Sequence, residues 1–368
     1  MNPILADLQS VVTNDLPDAP SGKSFIAGLI GEHPSTYSRS PLVWNAAFRA
    51  TGIDGHYVPI DVDATGVAEV LRLIRRHPRF LGCNVTVPYK QLVIPLVDEL
   101  DASAEQVGAV NTVRREPDGR LIGAITDGRG AVDSLTGAGS SAGLVSTLDR
   151  ASVLMIGAGG SGRAVAYAIA EAIGPKGRLF IANRTAETAL ALGLEVTARY
   201  ANTQGLDEVD APTLAPGIDL IVNTSTRGQS GLTSVGAKKV TMMEPYSALG
   251  PANPPSVEAS PVESERDILR RWFAAAVPDI RINHDLSMRF VQGAAVSTRF
   301  FDLVYSPTET MMLKHAKWAG HPILNGRTMI DYQAAAAFCD FIVRDQLAET
   351  GRDVALSRHM VTRAMLQA

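Results

Sequence analysis

Cysteine is nearly absent: Cys83 and Cys339 are the only two in 368 residues. Such a pair builds neither a disulfide framework nor a cysteine metal cluster, and it suits a reducing compartment. Basic charge is not in excess. Lys and Arg number 34 against 38 Asp and Glu, a net charge of −4, which argues against nucleic acid or an anionic membrane as partner. No uninterrupted apolar run approaches the length of a membrane span. The first residues, MNPILADLQSVVTNDLPDAP, lack the basic start and apolar stretch of a signal peptide. The seven histidines are scattered with no HxxxH or HxH pair, so metal catalysis is not expected. What these absences leave is a cytoplasmic globular protein, and 46% hydrophobic with 20% charged residues fits that class. The length predicts two domains.

What is present centres on VLMIGAGGSGRA at 153–164. A short apolar run, Val153 to Ile156, reads as a buried strand, and 164–173 (AVAYAIAEAI) reads as a helix without a breaker. Between them Gly157, Gly159 and Gly162 stand at G-x-G-x-x-G spacing, the context in which this motif binds a dinucleotide. The first glycine permits the tight turn, the second admits a pyrophosphate, and the third packs helix on strand. The turn with its helix N-terminus, Gly157, Ala158, Gly159, Gly160, Ser161 and Gly162, offers unpaired N–H groups to phosphates. The next strand, 178–182 (RLFIA), ends in Asn183, Arg184 and Thr185. In NAD enzymes an acidic residue there holds the ribose 2′-hydroxyl. A carboxylate would repel a 2′-phosphate, whereas a guanidinium binds one. The residues therefore favour NADP over NAD.

Along the rest of the chain, 1–23 reads as a loose leader and 24–30 as a first strand. Ser40 and Pro41 form an N-cap and first-turn pair for a helix over 41–50. Ser38 and Ser40 are then either turn chemistry or two hydroxyls placed to bind a carboxylate. Strands are expected at 56–62 and 80–87, with a basic amphipathic helix over 66–76. Pro88 stops the ladder and leaves Lys90 at the head of a helical stretch over 91–100. Asn84 and Thr86 face one side of their strand. EPDGR at 116–120 is a hairpin turn signal. Asp127 opens a helix, and 136–146 is a glycine- and serine-rich lead into the glycine turn. Further on, 245–261 reads as a proline-rich loop or linker, 263–276 as an amphipathic helix, and 300–305 as a strand. The stretches 309–319 and 328–344 read as helices, the second buried, so that Gln333 needs hydrogen-bond partners.

These segments resemble the shikimate dehydrogenase family from about Gly28 to Ile342. The resemblance rests on SRSP at 38–41, NVTVPYK at 84–90, GAVNT at 108–112, TDGRG at 126–130, GAGGSGRA, NRT, DLVYSP and NGRTMIDYQAAAAF, all in family order. It implies an α/β protein: an N-terminal substrate-binding domain, a Rossmann domain binding NADP, and an active site in the cleft between them. The implied limits are 24–127, completed by helices over 318–368, and 128–317, with an insertion at about 232–298. By resemblance Lys90 and Asp127 form an acid–base pair for reversible hydride transfer between the shikimate C3 alcohol and NADP. Removing hydride from a carbinol carbon also requires removing the hydroxyl proton, which explains the need for such a pair. Ser38 and Ser40 match the hydroxyls that bind the substrate carboxylate, and Thr86, Asn111 and Gln333 match groups that hold the carboxylate or ring hydroxyls. Tyr305 and Gly326 match residues near substrate and nicotinamide.

The chain departs from the family at Ile125, where asparagine is usual, at Gln229 in place of methionine, and at Thr188 in place of a basic residue. The insertion is compatible with a lid, an oligomer contact or a partner surface. The partner is a small molecule, and the protein is a monomer or homodimer. Two other readings are a relative acting on quinate or an aminated shikimate with NAD or NADP, and a non-catalytic ligand sensor. Retention of Lys90 and Asp127 argues against the sensor, which needs neither for chemistry.

Overall fold

Strand Phe25–Gly31 (β1) sends alternate side chains to opposite faces of a sheet, and both faces are apolar. Ile26 and Ile30 enter one buried cluster, Ala27 and Leu29 another. Burial on both faces is what a strand between parallel neighbours requires. β1 pairs in parallel with Gly55–Asp61 (β2) and with Phe80–Val85 (β3). Glu99–Leu100 (β4), Thr112–Arg115 (β5) and Leu121–Ala124 (β6) complete a six-stranded sheet in the order β2-β1-β3-β5-β6-β4. β5 runs antiparallel to both β3 and β6, and the turn between β5 and β6 places Gly119 at φ 92°.

This computed structural model describes residues 2–19, 21–137, 143–200, 202–236, 238–260 and 262–368. Two compact units divide the chain: Met1–Ser134 with Thr328–Ala368, and Leu135–Gly137 with Gly143–Arg327. The glycine- and serine-rich lead expected over 136–146 falls largely on 138–142, outside the described residues.

In the first unit Pro3–Gln9 (α1) and Val67–Arg76 (α3) cover one face of the sheet, burying Ile4, Leu5, Leu8, Val70 and Ile74. Ser40–Thr51 (α2) covers the other, with the Trp44 ring stacked on Tyr57 of β2 at 4.5 Å. The short Ala102–Val107 (α4) and Asp127–Thr136 (α5) follow β4 and β6. Of the loose leader expected over 1–23, residues 2–14 are docked instead. Asn2 caps α1, Leu8 is fully buried, and Thr13 and Asn14 bond to Asp61 on β2. Three apolar side chains on one helical face outweigh the polar composition that suggested a leader. The helix expected over 91–100 is also corrected: Ile94–Leu96 is a single 3-10 turn and β4 follows, since Pro95 leaves no run long enough for an α-helix.

The second unit holds an all-parallel sheet of Ser152–Ile156 (β7), Arg178–Asn183 (β8), Thr203–Asp207 (β9), Leu220–Asn223 (β10) and two later strands. Gly160–Ile173 (α6) and Ala186–Thr197 (α7) connect β7, β8 and β9. An antiparallel three-stranded sheet, Leu232–Ser234 (β11), Lys239–Met242 (β12) and Val257–Glu258 (β13), opens the inserted segment. A 29-residue helix, Glu265–Gly293 (α8), closes it. Arg299–Asp302 (β14), Met311–Trp318 (α9) and Ile323–Asn325 (β15) complete the unit. The strand order is β15-β14-β10-β7-β8-β9. Chain direction across the sheet reverses between β7 and β10, the switch point at which such sheets bind ligands beyond their carboxyl ends.

Of the two readings of the proline-rich stretch, loop or linker, residues 245–260 form a packed loop around the short β13, with Tyr246, Ala248, Leu249 and Ala252 buried against α8. One expectation for the insertion is revised. The helix expected to end at 276 runs on to Gly293 through an exposed Pro278, with Ile280, Phe290 and Val291 continuing its buried face. The chain then returns to the first unit as Arg327–Ala336 (α10), a π-turn over Ala337–Ile342, Arg344–Glu349 (α11) and Val354–Leu366 (α12). Phe338 of that return packs on Trp44 and Phe48 of α2.

Candidate active site

In the first unit the polar residues gather at one edge of the sheet, where β1, β2 and β3 end. Asp61, the last residue of β2, accepts from the Ser35 N–H at 2.9 Å and from the Ser35 hydroxyl, fixing the loop that follows β1. That segment carries Ser38 and leads into Ser40, the first residue of α2. Ser40 is not the N-cap the sequence suggested: α2 begins at Ser40 with Arg39 as N-cap. Ser38 Oγ accepts the Ser40 N–H at 3.1 Å. A one-turn helix over Pro34–Tyr37 leads straight into α2, which moves the cap forward. The Ser40 hydroxyl has no partner among the described residues.

Thr86 and Lys90 follow β3. The Thr86 N–H donates to Ile30 O at 2.9 Å, and the Thr86 hydroxyl is free of partners among the described residues. Buried Tyr89, whose OH donates to Val62 O at 2.9 Å, holds the turn down. The Lys90 carbonyl accepts from Val110 N. Lys90 Nζ thereby reaches Asp127 Oδ2 at 2.6 Å, a distance for a charge-assisted bond. The Asp127 side chain is 5% exposed and that of Lys90 21%, so the pair is shielded but open on the lysine side.

Asn111 is the hub. Its backbone bridges β3 and β6, accepting from Val85 N and donating to Ala124 O. Its Nδ2 donates to Asp127 Oδ1 at 2.7 Å, to Thr126 Oγ1 at 3.2 Å and to Gln333 Oε1 at 3.3 Å. Its Oδ1 accepts from the Thr126 N–H at 3.0 Å and the Thr112 hydroxyl at 2.9 Å. Asp127 is thus held on one oxygen by an amide and on the other by an ammonium. Gln333 comes close because Gly130 lets α5 and α10 approach: a Cβ on Gly130 would stand 2.7 Å from Gln333 Cβ and 2.9 Å from Met329 O. Lys90, Asp127, Asn111 and Gln333 are therefore one connected cluster. Three further groups support it: Asn84, which the sequence placed on one side of its strand with Thr86, and Tyr57 and Thr126, which sequence reasoning left out. Asn84 donates to Asn111 O at 3.2 Å and to Thr112 Oγ1 at 3.1 Å, Tyr57 OH donates to Asn84 Oδ1 at 2.8 Å, and Thr126 braces Asn111. The same-face spacing of Asn84 and Thr86 and the threonine before Asp127 were the available signals.

In the second unit each motif glycine has its own reason. Gly157 sits at φ 112°, where a Cβ would meet Thr224 and Ser225. A Cβ on Gly162 would lie 2.7 Å from both Gly157 O and Thr224 Oγ1. Around Gly159 and Gly160 nothing lies within 4 Å of an added Cβ, so the outer side of the turn is open. α6 has Gly159 as N-cap with no side-chain capping bond, leaving first-turn N–H groups for an anion. The Ala158 N–H is taken by Asn183 Oδ1 at 3.2 Å. Arg184 is exposed directly after β8, followed by Thr185, with no acidic residue at 183–185. This donor set fits a phosphorylated dinucleotide.

At the end of β14, Asp302 is fully buried, and burial pushes its carboxyl up to about 7. It accepts from Asn223 Nδ2 at 2.8 Å, Val304 N–H at 3.0 Å and Thr310 Oγ1 at 2.6 Å, tying the loop that bears Tyr305 to β10. Tyr305 is 43% exposed. Gly326 follows β15, and a Cβ there would be 1.9 Å from Leu303 O, so this glycine serves close backbone packing. Among the described residues there is no group of three metal-ligating side chains and no helix long and apolar enough to cross a membrane.

Residues 29–113 match the model of the shikimate dehydrogenase substrate binding domain. Shikimate dehydrogenase (NADP(+)) of Geobacillus kaustophilus is 34% identical over 85% of this chain and 91% of its own length. Among solved structures, shikimate 5-dehydrogenase of Thermus thermophilus in complex with NADP(H) and shikimate superposes with a TM-score of 0.60 at 26% identity, covering 92% of this chain and 99% of that one. Quinate dehydrogenase of Corynebacterium glutamicum in complex with NAD does so with a TM-score of 0.61 at 27% identity, covering 92% and 98%. Relatives at this identity, matched over nearly their whole length, settle the grouping: the chain belongs to the shikimate dehydrogenase family.

Proposed function

We propose that the protein is an NADP-dependent shikimate dehydrogenase that interconverts shikimate and 3-dehydroshikimate. The observation that carries this reading is the Lys90 Nζ–Asp127 Oδ2 contact of 2.6 Å inside a cluster of hydrogen-bonding amides. Oxidising the C3 alcohol breaks an O–H and a C–H bond. The proton passes to the Lys90–Asp127 pair, and in the reverse direction the pair returns it to the carbonyl oxygen. Bound at the glycine turn, NADP supplies the acceptor and donor of the hydride. Asn111 keeps Asp127 aimed at Lys90 by occupying its other oxygen, so the pair is oriented before substrate arrives.

The first unit, in this reading, is the substrate-binding domain, and the second, with its inserted segment, binds the dinucleotide. Ser38, Ser40 and Thr86 hold the substrate carboxylate with their hydroxyls, while Asn111 and Gln333 meet the ring hydroxyls. Hydroxyl-matched sites reject analogues lacking the group, because a buried polar partner is left unpaired. Gly157–Gly162 seats the pyrophosphate. Asn183, Arg184 and Thr185 hold the adenosine end, with the Arg184 guanidinium on the 2′-phosphate. Tyr305 and Gly326 lie on the nicotinamide side.

Steady-state assays with shikimate and with quinate, each with NADP and with NAD, test the proposal. Shikimate with NADP is expected to give the highest kcat/KM. A higher value for quinate with NAD would overturn both the substrate and the cofactor assignment. Binding of shikimate without any reduction of NADP from neutral to alkaline pH would make the protein a sensor.

A further inference from the structure

We propose that Arg227 is a positioning residue for the dinucleotide, through which the inserted segment braces the glycine turn. The inference rests on the reading of that turn as the NADP site. Arg227 lies in the loop after β10, on a side chain 9% exposed. Its Nη1 donates to Ala248 O and Gly250 O, both at 3.2 Å, and its Nη2 is ion-paired with Glu208 just beyond β9. One guanidinium thus joins the β10 loop, the β9 end and the insertion. A planar fork of donors can span three acceptors in this way, whereas an ammonium cannot hold the same geometry.

The β10 loop in turn touches the glycine turn. Thr224 Oγ1 donates to Gly157 O at 2.8 Å, and the Ser225 N atom would lie 2.8 Å from a Cβ on Gly157. Asn223 Nδ2 donates to the Arg227 carbonyl at 3.2 Å, and the Gly228 N–H to Met243 O at 2.9 Å. The insertion end is equally fixed. Asn283 of α8 donates through Nδ2 to Ser247 O at 3.0 Å, Gly250 O at 2.8 Å and Pro251 O at 3.1 Å. A Cβ on Gly250 would stand 2.7 Å from Asn283 O. Polar bonds therefore run without a break from α8 through Gly250 and Arg227 to the carboxyl ends of β9 and β10. Beside them lies a cavity of about 190 Å³, lined by Ile156, Ala182, Glu208, Arg227, Gly250 and Phe290 among others. Because this cavity leaves part of the Arg227 surroundings unfilled by side chains, the directional bonds of the guanidinium add to packing in setting where the loop sits.

The test compares wild type with Arg227→Lys and with the double variant Arg227→Met and Glu208→Leu. The double variant removes both charges and so avoids stranding one of them in the interior. Three readouts are taken: thermal unfolding of the free protein, NADP Kd by calorimetric titration, and amide hydrogen exchange over 224–228. Folded double variant is expected to bind NADP about tenfold or more weakly, since small misplacements of a binding group cost that much or more. Exchange over 224–228 should accelerate, while kcat at saturating NADP stays within about threefold, a split that shared structural damage would not give. Arg227→Lys should recover only part of the loss, and it alone carries the test if the double variant does not fold. An NADP Kd within about twofold of wild type, or unchanged exchange over 224–228, overturns the inference. Failure of wild type itself to bind NADP overturns the cofactor reading on which it rests.

Discussion

Gly130→Ala is the substitution whose sign the structure decides against simple expectation. Gly130 is buried within α5, and replacing a helical glycine by alanine ordinarily gains about 1 kcal/mol. Here the new Cβ would stand 2.7 Å from Gln333 Cβ, 2.9 Å from Gln333 N and 2.9 Å from Met329 O. Two carbons rest at about 3.5–4.0 Å, so α10 must retreat by roughly 1 Å, and backbone atoms cannot swing aside. Overpacking of this kind costs about 1–3 kcal/mol. With all three contacts on backbone or Cβ atoms the upper end applies, and the net loss is about 2 kcal/mol, near thirtyfold in the folding equilibrium. The same retreat stretches the Asn111–Gln333 contact, already 3.3 Å, beyond hydrogen-bonding reach. Urea unfolding should therefore show a lower midpoint, and shikimate KM should rise about fivefold or more. A Gly130→Ala protein at least as stable as wild type, with unchanged KM, would refute the close helix contact and the role given to Gln333.

Cofactor binding and folding separate at the glycine turn and at Arg184, and Asp302 sets a pH dependence of stability. Gly159→Ala meets open space on an extended backbone, so unfolding should move by less than about 0.5 kcal/mol while NADP binds about tenfold more weakly; Gly162→Ala, which strikes Gly157 O and Thr224 Oγ1, should instead cost about 1–3 kcal/mol of stability, as denaturant titration reads. Arg184→Leu should lower kcat/KM with NADP about tenfold or more and leave kcat/KM with NAD nearly unchanged, since one charge-assisted contact to a 2′-phosphate is lost. Asp302, raised to about 7 by burial, keeps its proton in the native state where the unfolded chain, titrating near ~3.9, has lost it. The native state then binds more protons, and stability falls as pH rises from about 4 to about 7 and levels off above. Asp302→Asn, which keeps the Oδ1 bonds and can donate to Thr310, should flatten that slope in unfolding measured across this range.

Much of this was legible beforehand because local chemistry and tertiary context agree. β1 and β3 are short, nearly continuous apolar runs, the glycine turn has its strand and helix, and TDG follows a strand of a marked hairpin. The parts misread are those where distant residues decide. Met1–Pro20 looks polar and loose in composition, yet Ile4, Leu5 and Leu8 share one helical face that the sheet buries. Proline count left 245–261 as a loop or linker, and what chooses the packed loop is Asn283, distant in sequence, which binds the carbonyls of Ser247, Gly250 and Pro251. Ser40 looked like a cap because the helix over Pro34–Tyr37 was not foreseen. For the site, the family resemblance implied Lys90, Asp127, Asn111 and Gln333, but no spacing indicates that Gly130 sets the approach of Gln333. Nor does it show that Arg227 is buried among carbonyls: a lone arginine in a loop reads as surface charge.

The central claim is that Lys90 and Asp127 move the carbinol proton. Its most direct test is Lys90→Ala assayed with shikimate and NADP, together with shikimate binding to the same protein by calorimetry. The account predicts a loss in kcat of about a hundredfold or more in a folded protein that still binds shikimate through its hydroxyl and amide groups. A kcat within about tenfold of wild type, with the same dependence on pH, would contradict it.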